Sequence, residues 1–212
     1  MSWQKRFINS FIKINRFLST YMPFNIPILL TWFRIVMIPV FIGIFYISDD
    51  TLSLHHKHLF STLLFAFAAL TDWLDGYLAR SLNQTSAFGA FLDPVADKLM
   101  VAAALIVLVN LTYVGALVAF IIIGREIAIS ALREWMAQLG SSKSIAVSML
   151  GKIKTTFQMI AILLLLYHEP VLGFPIHEVG TLLIYIAAVL TLWSMVYYLM
   201  LAMPQIAKKS RE

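Results

Sequence analysis

The chain has 212 residues, of which 60% are hydrophobic and 13% charged, a balance too apolar for a soluble globular domain. It has no cysteine, which excludes a disulfide scaffold, a thiolate metal site, an iron–sulfur cluster and a cysteine nucleophile. A formal net charge of +5 points to anionic lipids or phosphates as partners and makes nucleic acid the weaker reading, because most of the surface of so apolar a chain belongs to lipid.

From the N-terminus, Trp3, Phe7, Phe11, Ile14, Phe17 and Leu18 recur at three- and four-residue steps, with Lys5, Arg6, Lys13 and Arg16 between them. The pattern predicts an amphipathic helix lying in the membrane interface. Charges run through this segment and no small-residue cleavage site ends the first long apolar run, so a cleaved signal peptide is not expected. Apolar runs follow at 24–48, 59–80, 88–110, 112–139, 146–168 and 178–203. Each can supply the roughly 20 residues that a bilayer crossing takes. The expected fold is therefore an all-α integral membrane protein, with six transmembrane helices preceded by an amphipathic interfacial N-terminal helix. Residues 1–22 form the amphipathic segment, 23–205 one six-helix domain and 206–212 a basic tail.

The connections set the orientation. The N-terminal segment, the turn after Arg80, the stretch from Lys143 to Lys154 and the tail with Lys208, Lys209 and Arg211 are basic. The alternate connections are not: Asp49 to His58 holds one lysine beside two aspartates, while Asn110 to Tyr113 and His168 to Glu178 hold no lysine or arginine. Both termini are expected in the cytoplasm. The charges inside the spans then fall on that same side: Asp72 and Asp75 late in the second, Asp93 and Asp97 early in the third, Arg125, Glu126, Arg133 and Glu134 late in the fourth, and Lys152 early in the fifth. A charge at membrane depth costs several kcal/mol unless it is paired or wet, so converging charges imply one polar chamber open to the cytoplasm.

Asp72 and Asp75 are three residues apart, Asp93 and Asp97 four, spacings that put each pair on one helix face. Four carboxylates held close together require either protons or divalent cations to neutralise them. Oxygen ligands without histidine or cysteine suit Mg²⁺, Mn²⁺ or Ca²⁺ rather than zinc. Gly76, Ala79 and Gly89 leave room for a ligand or a helix to approach the backbone. Arg80 and Arg34 offer forked donors for phosphate oxygens. Structural pairing of the aspartates with Arg80 and Lys98 is the weaker alternative, because four acids outnumber two bases. Arg34 lies too deep in its run for snorkelling to headgroups to be the better reading. Lys154 reads as a basic residue at the membrane surface, and His55, His56 and His58 as a solvated loop. Trp193, Tyr197 and Tyr198 read as interfacial or packing aromatics.

Written out, Asp72-x2-Asp75-Gly76-x2-Ala79-Arg80-x8-Gly89-x3-Asp93-x3-Asp97 resembles, at every fixed position, the signature of the CDP-alcohol phosphatidyltransferases. The segments FNIPILLTWFR (24–34), FGAFLDPVADK (88–98), GREIAISALREWMAQLG (124–140) and AVSMLGKIKTTFQM (146–159) look like its bacterial, phosphatidylglycerophosphate-forming branch, and the resemblance spans about 23–203. Two features depart from the pattern: the N-terminal extension is longer than the family usually carries, and Ile28 stands where some relatives have asparagine. The resemblance implies that Asp72, Asp75, Asp93 and Asp97 hold one or two divalent cations, most simply Mg²⁺ with Mn²⁺ as the alternative, and that Asp97 is the general base. It implies that Asn25, Thr31, Arg34, Gly76, Ala79, Arg80 and Gly89 bind CDP-diacylglycerol, and that Arg125, Arg133 and Lys152 bind sn-glycerol 3-phosphate. A homodimer in the bacterial inner membrane is also implied.

Periodicity adds to this picture, since Glu126, Ser130 and Arg133 form one polar stripe and Ser144, Ser148, Lys152 and Thr155 another. Glu126 and Glu134 read as partners that hold the arginines. Structural pairing of Arg125 and Arg133 with those glutamates is compatible with substrate contact. Two readings compete with the enzyme: a cation- or proton-coupled transporter, which would place polar residues near the midplane and on both sides of the path, and a non-catalytic membrane scaffold, which needs no acid cluster. Within the enzyme class the competitors are other acceptors: inositol phosphate, serine or phosphatidylglycerol.

Overall fold

A computed structural model of the chain describes residues 26–81, 87–138, 149–171 and 173–209. The predicted amphipathic helix at 1–22 and Asn25 lie outside the described residues. Among the described residues six helices follow in order: α1 (Ile26–Ile44), α2 (Leu54–Ser81), α3 (Ala87–Asn110), α4 (Ala116–Gln138), α5 (Met149–Tyr167) and α6 (Ile176–Lys209). One helix answers each of the six apolar runs. Among the described residues the only extended pairing is an isolated bridge between Val171 and Phe174, in the turn before α6. By length and composition, Ile176–Met203 of α6 is long and apolar enough to cross a bilayer. Ile28–Ile44 and Ile153–Tyr167 are shorter apolar stretches, while α2, α3 and α4 carry charged residues within their length.

The helix ends have local causes. Pro27 sits in the first turn of α1, where a missing N–H costs nothing. Ser53 caps α2: its carbonyl accepts the Lys57 N–H at 3.0 Å. This start is earlier than the apolar run suggests, because Lys57 and His58 are helical and buried. His58 is thus not part of a solvated loop. Lys57 donates to the Ile47 carbonyl and to Asp49, which removes the penalty of burying its ammonium. α3 and α5 both end through a left-handed residue, Thr112 (φ 62°) and His168 (φ 61°), the conformation that closes many helix C-termini. Pro94 lies inside α3, between Asp93 and Asp97, and cannot donate to the carbonyl four residues back.

The described residues divide into two compact units, one drawn from 26–40, 67–81 and 87–100, the other from 41–66, 101–138, 149–171 and 173–209. In the first, Ile28, Ala68, Leu92, Ala96 and Met100 are buried, and Phe33 meets Phe67 edge to face at 5.9 Å. In the second, α6 packs on α5 and α4. Gly180 lets α6 come close to α5: a β-carbon there would stand 3.0 Å from Leu165 and 3.1 Å from Leu164. Tyr198 and Ala202 of α6 form a core cluster with Ile129 and Met136 of α4. Elsewhere in this unit Tyr113 stacks on His168 at 3.7 Å between centroids, and His177 meets His168 at 4.3 Å. His58 completes the group, its Nε2 lying 3.2 Å from the Tyr113 hydroxyl.

Candidate functional site

In the first unit the site is built from three helices. Thr31 and Arg34 are one turn apart on α1 and both are fully buried. Thr31 Oγ1 donates to Asp93 Oδ1 on α3 at 2.5 Å, and Arg34 Nη1 donates to Asp72 Oδ1 on α2 at 2.7 Å. A single face of α1 therefore fixes one carboxylate from each of the two acidic helices. The Arg34 side chain is 1% exposed and that of Asp72 45%, so the cation is enclosed while its partner stays open to a ligand. Arg34 does not snorkel; it is a buried ion-pair partner, and the charge-assisted bond to Asp72 is the stronger kind. Asp97 is half-buried on α3, one turn past Asp93, and Gly89 is buried earlier on that helix.

Asp75, Gly76, Ala79 and Arg80 continue α2, and Lys152 belongs to α5; the side chains of these residues are outside the described set, as is all of Asn25. Among the described side chains, no three imidazole, thiol or carboxylate groups converge on one point. The signature's donors are all carboxylate oxygens, two of them oriented by Thr31 and Arg34. That donor chemistry fits a hard divalent cation.

In the second unit a polar network joins α4, α5 and α6. Glu126 Oε1 accepts from Arg125 Nη1 at 3.1 Å and from Lys154 Nζ at 2.6 Å. Arg125 Nη2 donates to Ser194 Oγ at 3.0 Å, and Ser194 Oγ donates to the Thr191 carbonyl at 2.9 Å. The guanidinium carbons of Arg125 and Arg133 lie 5.9 and 5.6 Å from the ring centroid of Tyr198. Arg125 is buried; Arg133 is exposed. Glu126 is thus an arginine partner, as its spacing suggested, but it also holds a second cation.

That second cation corrects the reading of Lys154 as a membrane-surface residue: its side chain is 1% exposed. Burying an ammonium is tolerable only beside an opposite charge, and Glu126 provides it. Lys154 and Gln158 are four apart, a step that puts them on one helix face, and both are buried. The aromatic residues of α6 divide in the same way. Trp193 and Tyr197 are exposed, whereas Tyr198 is 1% exposed and packs inside the helices.

Among the described residues the fold is helical apart from one isolated bridge, its acidic helices carry the aspartate signature, and two of those aspartates are held from α1. The sequence model of the CDP-alcohol phosphatidyltransferases matches residues 24–193, and the chain belongs to that family. Over 185 residues it is 51% identical to the CDP-diacylglycerol–glycerol-3-phosphate 3-phosphatidyltransferase of Haemophilus influenzae, covering 85% of this chain and 95% of that protein. Proteins of the same name from Salmonella typhimurium, 51% identical over 181 residues, and Pectobacterium atrosepticum, 51% identical over 180, are similar to it across 84% of this chain and 94% of their own lengths.

Proposed function

We propose that this chain transfers the phosphatidyl group of CDP-diacylglycerol to sn-glycerol 3-phosphate, giving phosphatidylglycerophosphate and CMP. The observation that carries the reading is 51% identity across 95% of a relative that bears the name of this reaction. The residues on the page supply chemistry to match. Asp72, Asp75, Asp93 and Asp97 would hold one or two divalent cations, Mg²⁺ before Mn²⁺. Such an ion supplies neutralisation of the negative charge on the pyrophosphate.

The chain's own groups do the rest. Asp97 accepts the proton of the attacking glycerol hydroxyl. The hydroxyl oxygen forms a bond to the phosphorus that carries diacylglycerol, the bond from that phosphorus to the CMP oxygen breaks, and CMP leaves with the electron pair. Arg34 and Thr31 keep Asp72 and Asp93 in place, and with Asn25, Gly76, Ala79, Arg80 and Gly89 they make up the nucleotide side of the site. Arg125, Arg133 and Lys152 hold the phosphate of the acceptor. Six bilayer crossings, cytoplasmic termini, a place in the bacterial inner membrane and a homodimeric assembly complete the reading. Exposed apolar side chains along several helices, such as Phe33, Leu63, Ile106, Phe120, Val189 and Trp193, favour a lipid-covered surface.

The test is CMP release by purified protein in mixed micelles of detergent and CDP-diacylglycerol with Mg²⁺, offering glycerol 3-phosphate, inositol phosphate or serine in turn. Release with glycerol 3-phosphate alone is expected, lost on chelation and in Asp97→Asn. Release with a different acceptor alone refutes the acceptor assignment. Release with none, from folded protein, returns the transporter reading to the front.

A further inference from the structure

The residues assigned to the acceptor phosphate all come from α4 and α5, yet the structure shows α6 gripping both arginines. Tyr198 is 1% exposed and packed with Ile129, Met136 and Ala202. Arg125 and Arg133, eight residues and roughly 12 Å apart along the helix axis, both reach its ring, at 5.9 and 5.6 Å. Ser194, one turn earlier on α6, accepts a bond from Arg125 Nη2. We propose that Tyr198 is a positioning residue for the phosphorylated acceptor: its ring holds the Arg133 guanidinium without using its N–H donors and so leaves them for phosphate oxygens, beside Arg125, whose Nη1 and Nη2 are held by Glu126 and Ser194.

The argument turns on what a ring does that a carboxylate does not. A glutamate that pairs with an arginine occupies its N–H donors and cancels its charge, which weakens the same arginine as an anion ligand. An aromatic face attracts the cation through the ring quadrupole and uses no donor. Arg125 shows both modes. Glu126 and Ser194 take Nη1 and Nη2, while Nε, inside a residue 7% exposed, has no hydrogen-bond partner among the described residues. Arg133 is exposed and its guanidinium carbon lies 5.6 Å from the ring centroid, so its fork can serve an incoming dianion. Holding two like charges near one ring also sets their separation before the acceptor arrives, which reduces the ordering cost of binding.

The proposal rests on the acceptor reading of Arg125 and Arg133, and the experiment separates the two. Steady-state CMP release is measured for Tyr198→Leu, Tyr198→Phe and Arg133→Ala, varying glycerol 3-phosphate and CDP-diacylglycerol independently. Loss of the ring in Tyr198→Leu is expected to raise KM for glycerol 3-phosphate about tenfold, with KM for CDP-diacylglycerol unchanged and kcat within about threefold. Tyr198→Phe, which keeps the ring, is expected to restore KM to within about twofold of the parent. Should the leucine variant not purify as folded protein, Tyr198→Met, an adaptable apolar filler, makes the same comparison. If the phenylalanine and leucine variants behave alike, or if kcat falls with KM unmoved, Tyr198 is a packing residue and the proposal is overturned. If Arg133→Ala also leaves KM for glycerol 3-phosphate unchanged, the acceptor reading itself has failed.

Discussion

Glu126→Gln is expected to be far more damaging than Lys154→Met, although the two residues form one ion pair. Glu126 Oε1 accepts from both Lys154 and Arg125, whose side chains are 1% and 6% exposed. Removing the carboxylate charge leaves two enclosed cations facing a neutral amide, and breaking a buried pair in this way costs about 3–5 kcal/mol. The amide oxygen still accepts a hydrogen bond, which places the expected loss near the lower end, about 3 kcal/mol. Lys154→Met removes a cation whose desolvation was already costly, leaves Glu126 paired with Arg125, and fills the space with an apolar chain; the expected change is within about 1 kcal/mol. At about 2–4 °C per kcal/mol for a chain of this size, Glu126→Gln lowers the midpoint by about 6–12 °C. The assay is thermal unfolding of the two single variants and the double variant in one detergent. The double variant should recover part of the loss, because it leaves one unpaired cation rather than two. Equal losses in the two single variants, or strict additivity in the double, would refute the reasoning.

Two further outcomes follow from features of each unit. Arg34→Lys keeps the charge but loses the guanidinium whose Nη1 meets Asp72, so, on the proposal that Asp72 holds a divalent cation, CMP release should fall about 10- to 100-fold, with recovery at raised Mg²⁺ as the check. Burial, together with the neighbouring His177 and His58, holds the His168 imidazole below its ordinary pKa. The fold therefore favours neutral His168 and loses stability as pH falls below about 6.5, where the unfolded chain takes up the proton more readily. Melting between pH 7.5 and 5.5 should show that decline, and His168→Gln should flatten it; an equally steep decline in the variant would assign the effect elsewhere.

How much of this was legible in the sequence differs by kind of information. The six helices were, because long apolar runs state their own length and each has one helix to match. The helical placing of Asp93 and Asp97 was legible as well, since a four-residue step is local and helical geometry turns it directly into one face. Pairings across helices were not. Thr31 with Asp93, Arg34 with Asp72, Glu126 with Lys154 and Arg125 with Ser194 are separated by 62, 38, 28 and 69 residues, and no periodicity encodes which neighbour a face meets. Lys154 was misread for this reason: counting basic residues near a membrane treats every lysine there alike, whereas burial depends on which neighbouring helix a face meets. His58 was misread because its polarity suggested solvent, while tilted ring contacts with Tyr113 and His168 and the Tyr113 hydroxyl receive it inside the fold.

The length of α6 has a consequence of its own. Thirty-four residues make a rod about 51 Å long, against a hydrocarbon layer about 30 Å thick. In a bilayer such a helix must lean or protrude, and the amount of lean follows the thickness of the surrounding lipid. Ser194 and Tyr198 ride on that rod, so shorter or longer acyl chains in the host membrane would rotate the very groups that grip Arg125 and Arg133. In such a bilayer, thickness would act as a mechanical input to a chain whose family makes membrane lipids.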